Sequence, residues 1–476
     1  MRTPRLPSLA EPRPALAAGA LATALAALAA PPLAAQNVVV EAGLVVVSAE
    51  QEIENGVVVI RDGRIIAVGV KGEVEVPWDA TVYGGPDHVA FPGFVEAHSN
   101  RGMDRPNENL DVAPFLDVRD SIDPVNLYFE DCRRWGITTV NVQQGHDTVV
   151  AARGRIVKPH GMTVEAMTVR PLYGLKLSAS PKRGKSLATQ AQALRTAFDE
   201  LRAYLEEIVA DAQQGGDLAK REALYQGREL EGEKAEGRAM EGTAWKVEGL
   251  ELIPRGAIDE KQEPLLDLIE GRYAAFVYCG GPREVHTALD VARANGFLER
   301  TVLVLGAACW KAADVVAEAG VPVVLEAPLV HTESDPLTGE PIETFVPGVF
   351  QEAGVRFALS SENSSSGSLW FQAGRAIALG LDRQVALDAV TRTAADVLGL
   401  GEEVGSLEVG KQGNVLLLTG DPLSVDTWVD HVILEGVHVY DRSTDTRNEY
   451  VYEGEEPVGA APTDGEGDTG GDPQGN

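Results

Sequence analysis

The chain has 476 residues, of which 44% are hydrophobic, so it is globular and long enough for a large core plus a smaller one. Its formal charge is −31 at pH 7, a balance that repels nucleic-acid phosphates and anionic membrane surfaces and excludes both as expected partners. Cys132, Cys279 and Cys309 are odd in number and lack metal-ligand spacing, which excludes a disulfide framework and predicts small buried thiols.

At the N-terminus, Arg2, Arg5 and Arg13 precede an apolar run from Ala15 to Ala30, and Ala34 and Ala35 offer a cleavage point before Gln36. A membrane-spanning helix needs roughly 20 apolar residues, and Pro31 and Pro32 end this run early. Segment 1–35 therefore reads as a signal peptide. The mature chain is expected in the periplasm or outside the cell, with no membrane anchor after cleavage.

Residues 38–90 read as strands, and Asp62-Gly63 between Val57–Arg61 and Arg64–Val68 is a tight-hairpin pair. From 91 to 400 the texture alternates. Short β-branched runs fall at 137–142, 274–279, 301–305, 321–325 and 355–360. Between them lie helical patterns at 186–210, 284–295, 311–319 and 383–395. In the first helix Leu187, Leu194, Phe198, Leu201, Leu205 and Ile208 recur at three- and four-residue steps. Such alternation predicts a parallel sheet, open or closed. Residues 213–247, rich in Glu, Lys, Arg and Gly, read as an exposed insertion. Strands return over 413–440, and the acidic, Gly- and Pro-rich stretch 453–476 reads as a solvated tail. Residues 36–90 with 401–452 are expected to form a small β-sandwich around the central domain, because each strand-rich flank can cover the other's apolar face.

Asp62–Gly69, Phe91-Pro92-Gly93-Phe94-Val95-Glu96-Ala97-His98-Ser99-Asn100 and the closing Gly405-Ser406-Leu407-Glu408-Val409-Gly410-Lys411 resemble metal-dependent amidohydrolases, most of all the imidazolonepropionase-like branch. Gly136–Val140 and Leu175-Lys176 fit the same pattern, so the resemblance runs from about 40 to 440. It implies an α/β fold, a TIM-type (β/α)8 barrel over 91–400, with the site at the C-terminal mouth. It also implies a divalent ion such as zinc that activates water, and a carboxylate that moves the proton.

This sequence departs from that pattern. His98 stands in the first-strand position, but its second histidine is replaced by Asn100, a weak neutral ligand. Tyr278 and Leu305 fall where the family carries two further histidines. Glu362, in Ser360-Ser361-Glu362-Asn363, takes the place of the late-strand aspartate and is the expected proton shuttle. Lys176 sits where relatives carry a lysine that bridges metals. His146 follows the strand 137–142 at a position expected to face the pocket, while His286, on a helix, and His331, in an acidic loop, are set aside. Any ion would rest on His98 and Glu362. The loss of several ligands points to a degenerate member, a pseudoenzyme that binds a small molecule or assembles with a catalytically competent amidohydrolase paralogue. The alternative is an active hydrolase of cyclic amide or dipeptide-like C–N bonds with a rebuilt mononuclear site.

Overall fold

Gln51–Arg61 and Arg64–Val70 pair antiparallel across Asp62-Gly63, both of which have positive φ (49° and 79°) as a two-residue hairpin turn requires. The structure, a computed structural model, describes residues 37–216, 247, 249–364 and 368–447. The expected signal segment 1–35, the body of the insertion 213–247 and the tail 453–476 lie outside the described residues.

The hairpin ends one seven-stranded sheet. Its order is Val437–Asp441, Val429–Leu434, Val415–Leu418, Thr81–Pro92, Asn37–Ser48, Gln51–Arg61, Arg64–Val70. Val415 pairs with Pro92, so the two ends of the chain meet in one ladder. Val38, Val40, Val58, Ile60, Val415, Leu417 and Ile433 alternate with their neighbours and are buried in a single cluster. At about 1.5–3 kcal/mol per fully buried aliphatic side chain, that face is what holds the two ends together.

The middle carries the parallel strands. Leu175–Ser178, Ala275–Cys279, Thr301–Leu305, Val323–Leu325 and Phe357–Leu359 pair parallel in that order, with Val150–Arg153 antiparallel at the Leu175–Ser178 edge. Phe94–Ser99 pairs parallel with Ile137–Val142 in a second sheet that continues through Arg155–Val157 and Thr168–Arg170. The two sheets approach where the Ser360 hydroxyl donates to the His98 carbonyl (2.9 Å).

Helices cover the outer face. Leu187–Gln214 starts at Ser186, whose hydroxyl accepts from the Thr189 amide, and buries Leu194, Phe198, Leu201, Leu205 and Val209. The pattern over 383–395 is two helices, Arg383–Ala389 and Arg392–Val397, because Thr391 between them leaves helical geometry (φ −133°, ψ −91°). Sequence patterning passes over the hairpin Val330–Ser334/Pro341–Phe345, which is too exposed to show alternation and puts His331 on a strand, not in a loop. All three cysteines are buried and free. Among the described residues no helix is long and apolar enough to cross a membrane.

Candidate functional site

At the C-terminal ends of the parallel strands, side chains from four elements converge. His98 comes from Phe94–Ser99, His146 from the loop after Ile137–Val142, Lys176 from Leu175–Ser178 and Glu326 directly after Val323–Leu325. His98 Nδ1 lies 3.2 Å from Glu326 Oε1, and His146 Nε2 donates to Glu326 Oε2 at 3.0 Å. Asn363 Nδ2 adds a hydrogen bond of 3.0 Å to the same Oε2. Lys176 Nζ sits 2.8 Å from His98 Nε2 and 5.7 Å from the centroid of the Tyr278 ring. Tyr278 stacks on His146 with ring centroids 3.5 Å apart.

Burial sets the protonation. It pushes His98 down to about 3, with the Lys176 charge acting in the same direction, and it lowers His146 too. Both imidazoles are therefore neutral near pH 7, the form that ligates metals. Lys176 is pushed down to about 8 by burial. Burial alone would raise the Glu326 carboxyl, yet the two imidazoles hold it well below the usual carboxylate range. Burial raises Glu362, whose Oε2 accepts from the Asn100 amide at 3.1 Å. Glu96 is pushed up to about 8 by burial and accepts from the Ser361 amide at 3.1 Å.

Ligand atoms of His98, His146 and Glu326 all lie within 4.8 Å of one another. His98 Nδ1, His146 Nδ1 and Glu326 Oε1 are buried and find no hydrogen-bond partner among the described residues. The 3.2 Å between His98 Nδ1 and Glu326 Oε1 is short, but the two are out of line for a hydrogen bond. Buried orphans of this kind cost free energy, and one cation facing His98 Nδ1 and Glu326 Oε1 would satisfy those two. The set of two imidazoles and a carboxylate suits zinc and its neighbours. These residues fit a mononuclear divalent ion.

Three of the expected site residues stand apart from this trio. Glu362 is not in the converging trio; Glu326, on the neighbouring strand, takes that place. Asn100 meets Glu362 through its backbone amide. The strand ends at Ser99, so its two-residue period does not extend to Asn100. Leu305 faces the helices, packed in the cluster that holds Leu303, Leu325 and Phe350. Strand alternation sends Val304 inward, and a Cβ on Gly306 would lie 3.3 Å from the Tyr278 hydroxyl, so Gly306 borders the pocket. His146 and Tyr278 do reach it, as does Lys176. Glu326 was visible as a carboxylate closing the apolar run Val323-Val324-Leu325, the same signal that Glu362 gives after Phe357-Ala358-Leu359.

The class these features define is an α/β protein whose buried polar centre lies at the C-terminal ends of parallel strands. Residues 280–439 match the amidohydrolase family, a stretch that includes Glu326 and Glu362 but begins after His98, His146 and Lys176. No curated protein matches the sequence. Among solved structures the fold is similar to an amidohydrolase from Thermotoga maritima, at 22% identity and a TM-score of 0.68, over 85% of this chain and all (100%) of the other. That likeness establishes the fold alone. An adenosine deaminase from Xanthomonas campestris with bound zinc (18% identity, TM-score 0.45, 85% of this chain and 92% of the other) is more distant. So is E. coli guanine deaminase (13%, 0.44, 86% and 99%). Neither of the last two carries weight here.

Proposed function

We propose that this chain is an amidohydrolase-superfamily protein whose pocket holds one divalent ion through His98, His146 and Glu326, and that it hydrolyses a non-peptide C–N bond. The observation that carries the reading is the trio's geometry: ligand atoms within 4.8 Å, with a buried imidazole nitrogen and a buried carboxylate oxygen facing each other unpartnered. The two parallel-stranded sheets, joined through Ser360 and His98, form the barrel in this reading, and the seven-stranded sheet folds over its own apolar face as the flanking sandwich. The finer kinship to imidazolonepropionase-like members rests on the sequence blocks 62–69, 91–100 and 405–411. Substrate class, a cyclic amide or dipeptide-like molecule, follows from that kinship by analogy.

A divalent ion bound there supplies Lewis acidity and lowers the pKa of water. The chain does the rest. Glu362, whose carboxyl is raised by burial, is oriented through Oε2 by the Asn100 amide, which leaves Oε1 to carry a proton to a leaving nitrogen. Tyr278 fixes the His146 ring by stacking, and Asn363 fixes Glu326. Export through segment 1–35 belongs to the same reading; N-terminal sequencing of the protein recovered from its source should begin near Gln36.

One observation favours a second reading. Lys176 already presents a cation to His98 Nε2, and with Glu326 it makes a neutral buried network. On this reading the chain is a pseudoenzyme, a ligand-binding or assembly subunit beside an active paralogue. Screening amides and lactams with the zinc- or manganese-loaded chain separates the two. Turnover lost in Glu326→Gln supports the hydrolase; inactivity of the loaded chain, with a paralogue co-purifying, supports the subunit.

A further inference from the structure

Three of the chain's eight histidines, His88, His431 and His438, stand together on the seven-stranded sheet. His431 lies on Val429–Leu434 and His438 on Val437–Asp441, the hairpin at the sheet edge. His431 Nδ1 and His438 Nε2 are 3.1 Å apart, and Asp441 Oδ2 is 4.0 Å from His431 Nδ1. All three ligand atoms fall within 4.8 Å of one another. Ligand atoms of a tetrahedral zinc site, with metal–nitrogen bonds of about 2.0–2.1 Å, stand about 3.3 Å apart. The imidazole nitrogens are at that spacing already, and a small rotation of the carboxylate completes it.

The backbone explains how the three came together. His431 pairs directly with Asp441, so regular pairing would set His438 opposite Leu434, on the other face. Instead the register shifts between Val432 and Ile433, and His438 pairs with Ile433. The bulge turns His438 onto the face that carries His431 and Asp441. Asp441 is held by its other oxygen, since Oδ1 accepts from the Ser443 amide (2.9 Å) and hydroxyl (2.6 Å). That leaves Oδ2 toward the histidines. The Tyr83 ring walls one side, 4.6 Å from the His438 centroid. Beside it, His88 Nε2 pairs with Asp430 at 3.3 Å, and Arg442 also engages Asp430. His431 and Asp441 are 24% and 30% exposed, which leaves room for water as a further ligand.

We propose that His431, His438 and Asp441 form a second cation site, independent of the pocket, for a divalent transition ion of the zinc class. Two imidazoles disfavour calcium and magnesium, which take oxygen ligands. Bound there, the ion ties the edge strand to its neighbour.

Diethyl pyrocarbonate acylation of the full chain, with and without zinc chloride, tests this without any substitution. Peptide mass spectrometry should show acylation of His431 and His438 falling at least fivefold with zinc, while exposed His286 is unaffected. Equal acylation in both conditions overturns the proposal and leaves a plain His431–His438 hydrogen bond. Calorimetric zinc titration of His438→Ala should lose one binding event seen in the parent, with the melting temperature in EDTA unchanged. A titration identical to the parent's also overturns it. Either outcome is independent of the His98 pocket, whose peptides are read separately.

Discussion

The molecule carries the same donor set, two histidines and one carboxylate, in two very different settings. In the pocket, His98 and Glu326 are essentially sealed from solvent, and Lys176 and Asn363 complete the electrostatics. On the edge hairpin, His431, His438 and Asp441 are half-exposed. A buried charge must be compensated inside the protein, so each pocket residue depends on the others; a half-exposed one can fall back on water. The pocket should therefore be brittle and the hairpin tolerant.

The largest effect should come from Glu326→Ala. It leaves Lys176 buried without its nearest carboxylate and the His146 imidazole without its acceptor, a loss of about 3–5 kcal/mol for a broken buried pair. Urea denaturation reads this directly, and a loss below about 1 kcal/mol would mean that the pocket is not the interdependent network described. Next is Glu362→Gln. If Glu362 moves the proton, turnover drops by about 10²–10⁴ while the melting temperature hardly changes, because Asn100 still has an oxygen to meet. Unchanged turnover removes that role.

A partly buried pair provides an intermediate standard. Arg134 grips Asp445 through Nε (2.7 Å) and Nη2 (3.1 Å), and this hydrogen bonding holds the Asp445 carboxyl below its ordinary value of 3.8. The unfolded chain then binds that proton more tightly than the folded one. The pair's stabilisation is complete above the ordinary value and is lost as pH falls through the lowered one. Asp445→Asn should cost about 1 kcal/mol at pH 7 and progressively less as pH falls below 3.8, measured by denaturation across that range. A pH-independent difference would show that the contribution is packing and not charge. The smallest effect belongs to His438→Ala without metal, within about 0.5 kcal/mol of the parent, as surface changes usually are.

The same contrast bears on what the sequence could reveal. Strands with a strong β-branched signal, such as Thr301–Leu305 and Val57–Ile60, were legible because burial on one or both faces leaves no other residue types tolerable. His98, Lys176 and Tyr278 are pocket candidates through the family resemblance, and His146 through its place after the strand 137–142. Glu326 is marked in the sequence only as a carboxylate closing an apolar strand, a weak signal in a chain with 72 acidic residues. Leu305 was misplaced by one residue, and with a period of two that slip moves a side chain to the opposite face. Asn100 sits just past a strand end and His438 beside a register shift, which linear spacing cannot show. The signal segment, the insertion and the tail are compositional readings that fall outside the described residues.

The most direct measurement is metal content per chain, by mass spectrometry of the protein dialysed against zinc and then metal-free buffer, in a His431→Ala/His438→Ala background that leaves only the pocket. One equivalent retained, and lost on adding Glu326→Gln, is the predicted result. No retained equivalent in the folded background variant, with zinc or with manganese, would contradict a metal pocket and leave Lys176–His98–Glu326 as a structural charge network.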